Sequence, residues 1–291
     1  MSSPREPLDP VRSFYQDFHD AIQDKRLDSP YPLRRYVHRA LASATLEMVR
    51  HHAFPGARIL DAGCGEGALV SDISSALQHQ DVTVVGADIS TPNIAAGLAR
   101  TRESPAARPA RLLVADLEEL PFSDDSFDIV VSSHVLEHLP HFERGLAELH
   151  RVTRDVLVLG LPTCLNPCAM VILGGDNYWT ISRRTPQAFF LGLARVLGNL
   201  GGEGVDEGYV GRKELPHLWR YPWVMRRAVE NAGFRILRFE APTLPIPYLP
   251  GLLPLGLRLQ KSIDRLRRAP GCRNFGYGSL LSARKVRPAK G

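Results

Sequence analysis

Apolar residues fall at helical spacing early in the chain: Val37, Leu41, Thr45 and Met48 share one face within a helical region over 14–51, which Ser29-Pro30-Tyr31-Pro32 interrupts. From Ala57 the pattern changes. Short apolar runs at 58–60, 82–87, 111–115, 127–132 and 156–161 alternate with helical stretches, which predicts βαβ units and a parallel sheet. Farther on, a helix over 222–232 stops at Gly233, a strand follows at 234–240, and a last strand spans 277–283. The chain thus divides into an N-terminal helical cap (1–56), an α/β core (57–163), a lid or substrate insertion (164–216) and the C-terminal part of the core (217–291). Within the last part, a Pro- and Leu-rich segment leads into a basic helix (together 242–270) on which Leu255, Leu259, Ile263 and Leu266 share one face.

With 291 residues, 44% hydrophobic and 23% charged, the chain can bury one substantial core. No apolar run reaches the length of about 18 residues that a membrane span needs. The polar N-terminus does not read as a signal peptide, and the four cysteines (Cys64, Cys164, Cys168, Cys272) are too few and too irregular for a disulfide framework, so free thiols and a cytoplasmic location are expected. A net charge of +5 would suit an anionic partner, but the basic residues gather at 258–290 while 61–128 is rich in carboxylates.

The chemistry concentrates at Ile59-Leu60-Asp61-Ala62-Gly63-Cys64-Gly65-Glu66-Gly67, a glycine-rich turn between a buried strand and a helix at 68–77. Glycine lets the backbone approach a ligand, and the helix start offers N–H groups to an anion. Gly63, Gly65 and Ala68 fit the dinucleotide pattern as well. Three acids separate the readings. Asp61 beside the turn would repel a pyrophosphate but attract the ammonium and sulfonium charges of S-adenosylmethionine. Asp88, about 20 residues beyond the last glycine, can accept ribose hydroxyls from either cofactor. Asp116 ends the third strand, where it can accept an adenine amino proton while Leu117 packs the ring.

These residues, with Ala115-Asp116-Leu117-Glu118-Glu119-Leu120-Pro121-Phe122, Ser126-Phe127-Asp128-Ile129-Val130 and Val135-Leu136-Glu137-His138-Leu139, resemble the class I S-adenosylmethionine-dependent methyltransferases of the type 11, UbiE/UbiG-like group. The resemblance covers about 57–162 strongly and returns weakly at 217–239. It implies a Rossmann-like seven-stranded α/β sheet, parallel with one antiparallel last strand, and a cofactor site of Asp61, Ala62, Gly63, Cys64, Gly65, Asp88, Ile89, Asp116, Leu117, Ser133 and His134. The implied cofactor is S-adenosyl-L-methionine, with S-adenosyl-L-homocysteine as product.

Methyl transfer from an activated sulfonium needs positioning, and a base only where the acceptor must lose a proton. His134 and His217 are the candidate bases. Tyr178 and Trp179 in the expected lid, and Tyr221 before the late helix, are candidates to contact substrate. Ser133-His134-Val135-Leu136-Glu137-His138 also spells H-x-x-E-H and resembles the E-x-x-E-H metal site of ubiquinone-pathway and small-RNA methyltransferases, with His134 replacing the first Glu. The segment is read as the wall of a metal-free site, with His134, Glu137 and His138 as the alternative ligand set. Pro162-Thr163-Cys164 is similar to RNA cytosine-5 methyltransferases, but Ser132-Ser133-His134 stands where their second Pro-Cys is expected.

The Asn/Asp-Pro-Pro-aromatic run of nucleic-acid amino methyltransferases is absent, so a small acceptor is expected, with no nucleic-acid partner. The expectation is a hydrophobic molecule (secondary metabolite, quinone or lipid-linked compound) methylated on oxygen, by a monomer or homodimer that contacts the membrane periphery through 242–268. A non-methylating, cyclase-like enzyme and a cofactor-binding regulatory protein are the alternatives.

Overall fold

Runs such as Ile59–Leu60 and the Val130-Val131 pair form central strands because successive side chains enter opposite layers and both layers are covered. Leu60, Val130, Leu157 and Leu159 pack on one side of the sheet, Ile59, Ile129, Val131, Val156 and Val158 on the other. The computed structural model describes residues 10–19, 21, 23–103, 111–177, 179–209, 212–246 and 253–287; Tyr178 and part of the Pro/Leu-rich segment, 247–252, lie outside them.

The strands are β1 (Arg58–Ala62), β2 (Thr83–Asp88), β3 (Arg111–Val114), β4 (Phe127–Ser133), β5 (Thr153–Pro162), β8 (Phe234–Glu240) and β9 (Gly278–Lys285), in the order β3-β2-β1-β4-β5-β9-β8. A separate two-stranded hairpin joins β6 (Gly204–Asp206) to β7 (Leu218–Arg220). The first five strands are parallel, and β9 is antiparallel to both β5 and β8, which is the expected seven-stranded sheet. Strand order reverses between β1 and β4. In such sheets the ligand crevice opens there, at the carboxyl ends of the strands.

In the N-terminal region, α2 (Pro32–His52) packs Ala44, Met48 and Val49 into the core beside α3 (Ala68–Ala76), while α1 (Pro10–Asp17), Phe18 and Arg26 lie at the cleft. The 164–216 insertion holds α6 (Pro167–Leu173), α7 (Thr185–Gly198) and the hairpin, and among the described residues only Tyr209 of this stretch lines the cleft. The helices pack instead on their own cluster around Met170, Leu173, Val196, Trp219 and Tyr221. The helices α4 (Thr91–Glu103), α5 (Phe142–Val152) and α8 (Pro222–Asn231) pack beside the strands.

The basic helix α9 (Leu253–Ile263) is anchored by its polar side. Asp264 accepts hydrogen bonds from Tyr36 Oη (2.6 Å), Leu244 N (2.7 Å), Thr243 Oγ1 (2.8 Å) and Gln260 Nε2 (2.9 Å), while Leu255, Leu259 and Leu266 stay exposed. No helix among the described residues is long and apolar enough to cross a membrane.

Candidate functional site

At the strand ends lies a cleft of about 980 Å³, counting its open mouth. Gly63, Gly65, Asp88, Ile89, Asp116, Leu117, Ser133 and His134 line it, as do Arg12, Tyr15 and Phe18 at the α1 end of the chain. Gly63 has a left-handed backbone (φ +83°), and a Cβ there would collide with the Val135 side chain, so the turn accepts only glycine without rearrangement.

Four of the turn's amides are used internally: Gly63 N and Cys64 N donate to Ala87 O (2.7 and 3.0 Å), Gly65 N to Asp88 Oδ2 (2.7 Å) and Gly67 N to Cys64 O (2.9 Å). What faces the cleft is carboxylate. Asp88 Oδ1 accepts Ser90 N (2.9 Å), which fixes the side chain at the β2 end. Asp116 Oδ1 accepts Glu118 N (2.8 Å), and its Oδ2 pairs with Arg12 Nε (3.0 Å).

Asp61, Ala62 and Cys64 lie behind this lining. Burial first, and then the Asp88 charge, push the Asp61 carboxyl up to about 7. Cys64 packs into the core on the α2 side, and burial raises its thiol.

The other end of the cleft is aromatic and imidazole-rich. His134 is left-handed (φ +58°), held by its N–H to Gly160 O (2.9 Å), an uncommon conformation for a side chain at a strand end. Its Nδ1 lies 3.4 Å from Glu137 Oε1. Glu137 is buried, and neither carboxylate oxygen has a hydrogen-bond partner. Burial opposes its charge, but His134 Nδ1 beside it holds the carboxyl below its usual range. His138 turns Nε2 toward Glu137 (3.9 Å) and Nδ1 toward Tyr15 Oη (3.1 Å); burial holds it well below the usual histidine range, as a neutral imidazole. His217 stacks on His138, centroids 4.8 Å apart.

Several expected site residues lie elsewhere. His217 does not line the cleft; it is packed against His138 and Tyr209. Among the potential ligands, Glu137, His138 and His217 bring one atom each within 4.8 Å of one another, so His217, not His134, completes that cluster. Tyr221 is fully buried, donates its hydroxyl to Val196 O (2.5 Å) and stacks on Trp223, so it faces the α7 cluster and no ligand. Trp179 packs against Arg34 and His38 of α2 rather than in the cleft. Cys164 and Cys168 are buried, which raises both thiols.

The sequence reading missed the α1 contribution. Besides Asp116, Arg12 pairs with Glu118 (2.8 Å), His19 Nε2 meets Glu66 Oε1 (2.6 Å) and Ser90 Oγ donates to Phe18 O (2.5 Å). Val11, Phe14, Tyr15 and Phe18 stand at helical spacing in the sequence, and that signal could have marked this segment as one that buries a face.

Residues 60–156 match the methyltransferase-domain family. The chain is 36% identical over 130 residues to a ubiquinone biosynthesis O-methyltransferase of Agrobacterium fabrum, covering 44% of this chain and 50% of that protein. It is 34% identical over 98 residues to the ubiquinone/menaquinone biosynthesis C-methyltransferase UbiE of Citrifermentans bemidjiense, covering 34% of this chain and 41% of that one. The chain thus spans half or less of the length of these curated relatives. Its fold is shared with magnesium protoporphyrin IX methyltransferase from Synechocystis, solved with bound S-adenosylmethionine (TM-score 0.57, 16% identity, 97% of this chain and 100% of that one), and with the [4+2]-cyclase SpnF (TM-score 0.52, 17% identity, 86% and 83%). Residues 60–156, about a third of the chain, are thus similar to the methyltransferase-domain family and to the matching part of quinone-biosynthesis methyltransferases.

Proposed function

We propose that the protein transfers the methyl group of S-adenosylmethionine to an oxygen of a small hydrophobic acceptor. The observation that carries this reading is the wall of Asp88 and Asp116, with Asp61 behind it, beside a turn in which Gly63, Cys64, Gly65 and Gly67 donate their amides internally. Such a wall suits a cationic cofactor and offers a pyrophosphate little. The Gly63 cradle gives that cofactor room. When bound, S-adenosylmethionine supplies an electrophilic methyl whose C–S electrons return to sulfur as the neutral thioether.

The chain's own residues divide the rest. Asp88 and Asp116 orient the ribose and adenine, Ser133 and Leu117 bound them, and Asp61 behind the turn favours the positive end. His134, on the cleft and backed by Glu137, takes the acceptor proton as oxygen gains the methyl. Tyr15, Phe18 and Tyr209 give the acceptor an apolar, ring-lined chamber. We place the protein in the cytoplasm as a monomer or homodimer, with the exposed Leu255, Leu259 and Leu266 of the 242–268 region touching anionic lipid at the membrane periphery.

A second reading, non-methylating chemistry, keeps its place because the same fold serves the cyclase SpnF. Mass spectrometry of products from a panel of phenolic acceptors tests both. A gain of about 14 mass units, lost in His134→Ala, supports methyl transfer; conversion at unchanged mass overturns it in favour of the second reading.

A further inference from the structure

We propose that a second cavity beside the cleft holds the far part of the acceptor, and that this part ends in an anionic group, a carboxylate or a phosphate. The cavity measures about 1620 Å³ with its open mouth, and Phe18, Arg26 and Tyr209 line both it and the cleft. Its walls come from the segment 23–27, α2, α6, α7 and β7, so the insertion that barely touches the cleft supplies much of this space. An acceptor whose oxygen lies beside His134 reaches it past Phe18 and Tyr209, and none of the cavity's lining falls within the family match over 60–156.

The lining names the chemistry of its occupant. Ile172, Leu173, Leu191, Trp219 and Tyr277 give an apolar and aromatic floor, which suits a hydrocarbon body. Around it stand four cations, Lys25, Arg26, Arg34 and Arg195, against one described carboxylate, Glu207. Glu207 is taken by its neighbours: it accepts Trp219 Nε1 (2.8 Å) and stands 3.4 Å from His217 Nδ1. Arg195 spends its donors on backbone carbonyls, Leu173 O and Asp206 O, which leave its charge in place. Arg34 lies over the Trp179 ring and keeps a buried Nε with no hydrogen-bond partner among the described residues, and the Lys25 side chain is exposed. Such an excess of cations attracts an anion, and guanidinium groups bind carboxylate and phosphate alike. Asp88 and Asp116 give the cleft wall the opposite sign, so an anionic end is steered away from the cofactor and into the second cavity. The inference rests on the proposed function in calling the occupant an acceptor, whereas the ligand class is read from the lining itself.

The test is calorimetry on the full chain with para-octylphenols whose chain ends in a carboxylate, a phosphate or the neutral methyl ester. At least one anionic probe should bind about 10-fold or more tightly than the ester, and the tighter of the two names the group. Leu191→Glu puts a carboxylate on the cavity wall, at an exposed position outside the cleft; it should abolish that preference and leave the ester's affinity within about 2-fold. Lys25→Gln and Arg34→Gln should each reduce the preference by about 3-fold or more. Equal affinity for the anionic and neutral probes, or a preference that Leu191→Glu leaves unchanged, overturns the proposal. If Arg34→Gln fails to fold by circular dichroism, the exposed Lys25 and Leu191 variants decide. S-adenosylmethionine titrated into the same samples separates the two readings: anionic preference without cofactor binding upholds the cavity and overturns the proposed function, and cofactor binding without anionic preference overturns the cavity alone.

Discussion

At one end of the cleft, Gly63, Gly65, Asp88 and Asp116 come from the connections that follow β1, β2 and β3, each held by hydrogen bonds within or next to its own turn. At the other end, Tyr15, His138 and Tyr209, with His217 packed behind them, come from four separate segments and meet through ring contacts and side-chain hydrogen bonds. The family match covers the whole of the first end but stops before Tyr209 and His217. One end is thus a local property of the Rossmann-like unit, and the other is an assembly that exists only once the whole chain has folded.

The largest expected effect breaks the cofactor end alone. Gly63→Val places a branched side chain at φ +83° against Val135, costs about 1–2 kcal/mol in backbone strain before any clash, and should lower S-adenosylmethionine affinity by at least about 100-fold in calorimetry.

Next comes Asp61. Its folded-state value near 7 lies above the unfolded value, so the folded protein binds the extra proton. The stability this gives is complete at acidic pH and is lost as pH rises through about 7. A cationic cofactor prefers the carboxylate, so affinity should climb over the same range. Asp61→Asn should flatten both curves: a higher melting temperature than wild type at pH 8 without cofactor, and a loss of about 10-fold or more in cofactor affinity. Wild-type affinity in Asp61→Asn would remove Asp61 from the cofactor account.

Smaller effects sharpen the other end. Arg12→Ala removes a partner of the part-exposed Asp116 and of the buried Glu118 at the cleft mouth, so melting temperature should fall modestly while acceptor KM rises. An unchanged KM would mean that α1 does not bound the acceptor chamber. Smallest of all, the Leu255→Ser and Leu259→Ser double variant should leave melting within about 0.5 kcal/mol of wild type, because both side chains are already exposed, yet abolish flotation with anionic vesicles. Flotation by the variant would remove α9 from the membrane reading.

The same contrast explains what could be read in advance. Strand runs such as Val130-Val131 and the stop at Gly233 are local, and the sheet and its antiparallel last strand follow from them. Asp88 and Asp116 were legible for the same reason: each ends a strand at the edge where the crevice opens. The helix α7 was not, because Thr185–Gly198 is apolar on nearly every face and carries no clean helical stripe. Trp179 and Tyr221 were read as ligand contacts for being aromatic, but each packs against a helix that only the tertiary fold brings near. The pairing of His138 with His217 spans the insertion, and no spacing in the sequence encodes it.

The central claim, a cleft built for a cationic methyl donor, is tested most directly by titrating the purified chain at pH 8 with S-adenosylmethionine and, in parallel, with NAD. The account predicts one site with about micromolar affinity for S-adenosylmethionine, lost in Gly63→Val, and no heat with NAD. Binding of NAD in preference, or S-adenosylmethionine binding that Gly63→Val leaves untouched, would contradict it.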